Sequence, residues 1–153
     1  LQFIKGELTR TKEELTRDIR VLRGYLATVA GANGLDPNLV MSGKPYADLP
    51  AGEALKVLEK NPATIVLDVR TPGEFRNTHI PGAKLIPVDE IERRLAELPS
   101  KDTPMIVTCQ GGGRSAAACE VLAEKGWTRL SNLLGGMSSW PGPVEKDGVP
   151  GFK

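Results

Sequence analysis

One histidine and two cysteines are the only imidazole and thiol groups in these 153 residues. The cysteines, Cys109 and Cys119, stand far from any CxxC spacing, so they supply no zinc site, and two are too few for a disulfide-stapled miniprotein. They fit a reducing compartment, and a cytoplasmic location is the expectation. Neither sign of charge prevails: twenty basic residues against nineteen acidic leave a formal charge of +1. No strong field therefore points to nucleic acid or to an acidic membrane surface. Uncharged apolar runs are too short to span a bilayer, and no apolar leader opens the chain. Leu1 is not an initiator Met, so the start of the chain is silent on targeting or anchoring. Internal repeats and low-complexity tracts are also lacking. A content of 40% hydrophobic and 25% charged residues excludes a disordered tail and a collagen-like repeat.

What is present divides into a helix, a linker and a body. In residues 1–31, Leu15, Ile19, Leu22, Leu26 and Val29 alternate steps of four and three along one helical face. Thr11 and Glu14 form a capping-box pattern and Gly31 stands at a C-cap position, which predicts a helix over about 11–30, with an earlier start near Glu7 as the alternative. Its stripe either packs on its own domain or meets a second copy or another protein partner. Residues 32–50 are rich in Gly, Pro and Asn and read as a linker. Residues 51–153 alternate helix and strand signals. A helix is expected at 51–60, strands at 64–69, 83–88, 104–108 and 129–134, and helices after the second and third strands. That order predicts an α/β fold with a central, mostly parallel sheet covered on both faces.

The chemistry concentrates in MIVTCQGGGRS at 105–115. A buried strand would deliver Cys109 to the C-terminal edge of the sheet, where open α/β folds place ligands. Gly111, Gly112 and Gly113 let successive backbone N–H groups turn inward as an anion nest, ahead of a helix N-terminus. Arg114 adds a full charge, and Gln110 and Ser115 complete the loop. Each of these features favours thiolate at Cys109, an activated nucleophile that needs no histidine base.

Three segments then resemble the rhodanese family of sulfurtransferases, which carry sulfur as a cysteine persulfide. LDVRTPGEFRNTHIPGAKLIP at 67–87 resembles its N-terminal signature, CQGGGRS at 109–115 its active-site loop, and LLGGMSSWPG at 133–142 its C-terminal segment. The resemblance implies a rhodanese-like three-layer fold and sulfur transfer from a thiosulfate or persulfide donor to a cyanide or thiol acceptor. It implies no metal or organic cofactor. Cys109 is the implied nucleophile, residues 110–115 the persulfide-binding loop, and Asp68, Arg70 and Glu74 its supports.

Thr78 departs from the Gly common in the family. Four residues separate Cys109 from Arg114, whereas phosphatase and arsenate-reductase relatives use CX5R, so the shorter ring suits a single sulfur. Gln110 replaces the charged or bulky residue of members that favour thiosulfate. A neutral amide lacks Coulomb attraction for a dianion. The alternatives are a small phosphatase or arsenate reductase using the same cysteine, and a partner-binding module with weak catalysis. His79 admits a Cys–His dyad, but HIPGA resembles a structural turn. Cys119, Phe75, Trp127 and Trp140 are expected to pack. Met137 and the Gly135–Gly136 turn are candidates for the pocket rim.

Overall fold

The computed structural model describes residues 2–33, 37 and 42–147. The chain divides into two compact units, Leu1–Lys44 and Pro45–Lys153.

The first unit is dominated by α1, Gln2–Ala32. This helix runs past the expected start and stop. Thr11 and Glu14 lie inside it, so their capping-box spacing has no terminus to cap. Gly31 is also internal. Asn33 ends the helix instead, its N–H donating to the carbonyls of Val29 (3.2 Å) and Ala30 (3.0 Å). Its side-chain amide reinforces the Val29 bond at 2.8 Å. Leu15, Ile19, Leu22, Leu26 and Val29 are exposed, whereas Ala27 and Ala30 are buried. No helix among the described residues is long and apolar enough to cross a membrane.

The second unit is an α/β body. Its elements are β1 (Ala47–Leu49), α2 (Ala51–Lys60), β2 (Ile65–Asp68), α3 (Pro72–Asn77) and β3 (Lys84–Leu85). They continue with β4 (Met105–Thr108), α4 (Gly113–Glu124), β5 (Leu130–Leu133) and α5 (Gly136–Ser139). The sheet order is β1-β5-β4-β2-β3, and every pairing is parallel. Strand alternation sends Leu67, Met105 and Val107 into one core with Ala118, Cys119 and Leu122 of α4. Val66 and Ile106 enter the other with Ala54 of α2 and Phe75 of α3. Helices therefore cover both faces, as a parallel sheet requires.

Three sequence expectations need correction. The linker ends before β1: Tyr46 is buried, and Ala47–Leu49 pairs with Ser131–Leu133 as an edge strand. Residues 45–50 thus belong to the body, while 34–36 and 38–41 of the expected linker lie outside the described residues. The second strand shrinks to Lys84–Leu85, since Pro87 cannot donate to a ladder. The helix expected after it is two 3₁₀ segments, Val88–Glu90 and Glu92–Glu97, with Arg94 off helical geometry. Pro87 and Pro99 bracket that stretch and leave little length for an α-helix; Leu98, before Pro99, is extended.

The connections from β2 and β4 leave in opposite directions along the sheet, β2 outward to β3 and β4 outward to β5. This switch point opens a crevice at their C-terminal ends. Asp68 ends β2 there, and Cys109 follows β4.

Candidate active site

Cys109 is 1% exposed and leaves the central strand directly into the glycine loop. Gly112, at φ +102°, turns that loop into the N-terminus of α4. Such a left-handed conformation favours glycine. The turn brings the Gly112 N–H to 3.0 Å from Cys109 Sγ. Ser115 Oγ lies 3.3 Å from the same sulfur. Burial pushes the Cys109 thiol up, but the Ser115 hydroxyl and the backbone N–H groups of Ser115, Gly112 and Gly111 outweigh it, so its pKa is lowered.

Arg114 does not lead this effect. Its Nη1 donates to Glu74 Oε1 at 2.9 Å and its Nη2 to Oε2 at 3.0 Å. Glu74 is the main cause of the raised Arg114 pKa, with charge at Cys109 a lesser one. In return, the Arg114 hydrogen bond holds the Glu74 carboxyl well below its usual range, at about 2, against the burial that raises it. Because the folded value is depressed, this pair stabilises the loop fully above about pH 4.5 and loses its contribution as pH falls through about 2. Glu74 has a second task. It closes a capping box with Thr71, whose hydroxyl accepts from the Glu74 N–H while the carboxylate accepts from the Thr71 N–H. Pro72 sits at the first helical position. One carboxylate thus fixes the start of α3 and anchors the loop on β4.

Asp68 and Arg70 form a buried pair at 0% and 2% exposure, with Nη2 to Oδ2 at 2.7 Å. Arg70 also donates to the Thr78 carbonyl at 2.6 Å and to Gln110 Oε1 at 3.2 Å. One guanidinium therefore ties the end of β2, the exit of α3 and the candidate loop. Thr78 itself is extended at φ −158°, a conformation any residue adopts, so nothing there demands glycine.

Gln110 is held from two sides. Its carbonyl oxygen accepts from Arg70, and its Nε2 donates to Ser138 Oγ at 3.1 Å. Helix α5 reaches the same backbone. Met137 N–H donates to the Cys109 carbonyl at 2.8 Å and Ser138 N–H to the Gln110 carbonyl at 3.1 Å. Gly136 lies at φ +55°, and a Cβ there would collide with the Cys109 carbonyl oxygen. The Gly135–Gly136 pair is therefore a docking point for the loop as well as a turn.

Ser115 leads to residues the sequence reading did not single out. Its hydroxyl donates to Asn132 Oδ1 at 2.6 Å, and Asn132 Nδ2 donates to Asp48 Oδ1 at 3.2 Å. A chain of hydrogen bonds thus runs from Cys109 through β5 to β1. The sequence offers only SNL in a weak strand as a signal for Asn132, and Asp48 lies in what reads as linker.

Other candidates fall elsewhere. His79 stacks on Phe75 at 3.8 Å between centroids, and its Nδ1 meets the Phe75 carbonyl at 2.8 Å. Its Nε2 faces Glu145 at 3.5 Å. Both ring nitrogens therefore have structural neighbours, and His79 forms no dyad with Cys109. Cys119 lies on α4, fully buried in the first core, and burial pushes its thiol up to about 12. Phe75 and Trp127 are buried, and Trp140 and Met137 are packed against the second core. Among the described residues no group of three or more His, Cys, Asp or Glu is placed to hold a metal ion.

Comparison with known proteins agrees with this architecture. The protein YqhL of Bacillus subtilis is 38% identical over 80 residues, covering 52% of this chain and 63% of that protein. The thiosulfate sulfurtransferase PspE of Escherichia coli is 37% identical over 70 residues, covering 45% of this chain and 67% of that protein. The chain thus spans about two thirds of the length of these relatives. A crystal structure of a rhodanese-like domain protein from Staphylococcus aureus superposes with a TM-score of 0.61 at 32% identity. That match covers 67% of this chain and 99% of the other. Residues 50–142 match the rhodanese-like domain family, a stretch that includes Asp68, the Cys109 loop and Ser138, and the chain belongs to that family.

Proposed function

We propose that this chain is a sulfurtransferase that carries sulfane sulfur as a persulfide on Cys109. The observation that carries the reading is the cradle around Sγ: Gly112 N–H at 3.0 Å, Ser115 Oγ at 3.3 Å, and a lowered thiol pKa. In the first half-reaction the Cys109 thiolate attacks the outer sulfur of the donor. A new S–S bond forms as the donor's own bond to that sulfur breaks, and sulfite or a thiolate leaves with the electron pair. In the second, a nucleophilic acceptor attacks the outer sulfur, and Cys109 departs as thiolate. The first turn of α4 offers N–H groups without intrahelical partners to the terminal sulfur anion. The sulfurtransferase name of the Escherichia coli relative supports the reaction class. The four-residue spacing between Cys109 and Arg114 favours sulfur over the larger oxyanions of a phosphatase or arsenate reductase.

Intact mass after incubation with thiosulfate tests the intermediate. The expected result is a gain of one sulfur atom on the wild type, reversed by cyanide with release of thiocyanate. Cys109→Ser abolishes both, whereas Cys119→Ser leaves most of the turnover. Equal loss in the two variants would mean a two-cysteine mechanism.

Gln110 bears on the donor. Its amide presents no charge to dianionic thiosulfate, so a persulfide is the favoured donor. Gln110→Arg should lower the KM for thiosulfate, with a larger effect at low salt. It should also cost about 1 kcal/mol of stability, because Arg70 loses an acceptor and gains a like charge. A KM that does not fall, with the fold intact, removes the charge-filter reading.

A further inference from the structure

We propose that α1 pairs with α1 of a second copy of this chain in a parallel, two-stranded coiled coil. The exposed stripe is strictly heptad. Leu15, Leu22 and Val29 recur every seventh residue, with Ile19 and Leu26 between them, and the same spacing reaches back through Lys12 and Leu8 in the sequence. Steps of four and then three put Leu8, Leu15, Leu22 and Val29 at d positions and Lys12, Ile19 and Leu26 at a positions. The whole run falls within the continuous helix Gln2–Ala32. Leu15 is 56% exposed, Ile19 49%, Leu22 58%, Leu26 58% and Val29 58%, so five large apolar side chains share one open face.

Three observations select the occupant. First, the body offers no matching surface: among its described residues only Leu134 and Val144 are exposed large hydrophobics, and both sheet faces are already covered. Second, the flanks of the stripe carry mixed charge, Arg17, Arg20 and Arg23 beside Glu13, Glu14 and Asp18, which does not suit an anionic lipid surface. Third, the flanking positions are self-complementary. In a parallel pair each g residue faces the next e residue of the other helix, which sets Asp18 against Arg23 of the second copy, twice by symmetry. An antiparallel pairing with Leu15 against Leu26 and Ile19 against Leu22 sets Asp18 against Tyr25 and Arg23 against Thr16, and forms no such ion pair. Branched Ile19 at a, between Leu15 and Leu22 at d, favours two strands in the middle of the helix, and charged Lys12 at a disfavours higher assemblies.

Sedimentation equilibrium of the full chain over a range of concentrations tests this, with cyanide turnover reporting that the body is folded. The expected wild type is a reversible dimer whose helicity falls on dilution, because an isolated helix is marginal in water. Leu22→Glu should be monomeric with turnover unchanged. Arg23→Asp should weaken the dimer about tenfold, since both ion pairs become repulsions, and Asp18→Arg combined with Arg23→Asp should restore it. A wild type that is monomeric throughout, or trimeric or larger, overturns the proposal, as does a Leu22→Glu variant that still dimerises. A double exchange no tighter than Arg23→Asp alone overturns the parallel register. A monomer that instead sediments with vesicles of phosphatidylserine and phosphatidylcholine replaces the second copy with a lipid surface.

Discussion

Ser115 has one hydroxyl hydrogen and two acceptors within reach. Asn132 Oδ1 lies at 2.6 Å and Cys109 Sγ at 3.3 Å. Asp48 accepts but cannot donate, so it fixes the Asn132 amide with nitrogen toward itself and oxygen toward Ser115. The carbonyl oxygen of Asn132 therefore competes with the thiolate for a single hydrogen. Removing Ser115 and removing Asn132 should move the Cys109 pKa in opposite directions. Ser115→Ala deletes a donor and should raise it. Asn132→Ala frees the hydroxyl for sulfur and should lower it. Arg114→Ala should raise it less than Ser115→Ala does, because Glu74 already engages the guanidinium. The rate of iodoacetamide alkylation against pH reads all three, and Cys119, with its thiol near 12, does not interfere at neutral pH. A shift of the same sign in Ser115→Ala and Asn132→Ala would mean that the asparagine acts only through packing.

Among elements, the loop after β4 and the short helix α5 behave as one unit, since α5 donates two backbone hydrogen bonds to the loop. Glycines within this unit are not equivalent. At Gly113 a Cβ meets nothing within 4 Å, and φ is ordinary. At Gly136 it meets the Cys109 and Gln110 backbone at positive φ. Gly113→Ala should therefore keep the melting temperature, and Gly136→Ala should lower stability by about 2 kcal/mol or more and cut turnover with it. Thermal unfolding of the two variants separates a packed junction from a merely tight turn. The strand, glycines and helix around Cys109 are legible in sequence because each signal is local: a β-branched run, three consecutive glycines, then a small-residue helix. Gly136 is visible as a turn, but its steric role depends on a segment 27 positions earlier. Asn132 is hidden for the same reason, since only the β4–β5 pairing brings it beside Ser115. Glu74 is visible as a signature residue, yet its pairing with Arg114 spans forty positions. Strand β1 escapes because three residues, ADL, are too short to show alternation.

For the whole molecule, the site draws on the body from Asp48 to Ser138, so the boundary that matters is the one before β1. Removing residues 1–44 deletes α1 and should leave cyanide turnover within about twofold, because the body keeps its own cores. Removing 1–50 costs six residues more and much else. It takes Tyr46 out of the first core, at about 3–5 kcal/mol for a large aromatic side chain. It strips Asp48 from Asn132 and leaves β5 as an unpaired edge prone to association. Against a total of about 5–15 kcal/mol for a domain, that loss is large. The shorter chain should therefore unfold at much lower denaturant, aggregate, and lose turnover. Urea titrations of the two truncations make the comparison. Equal midpoints and equal activity would return residues 45–50 to the linker and reduce the Asp48–Asn132–Ser115 chain to a surface detail.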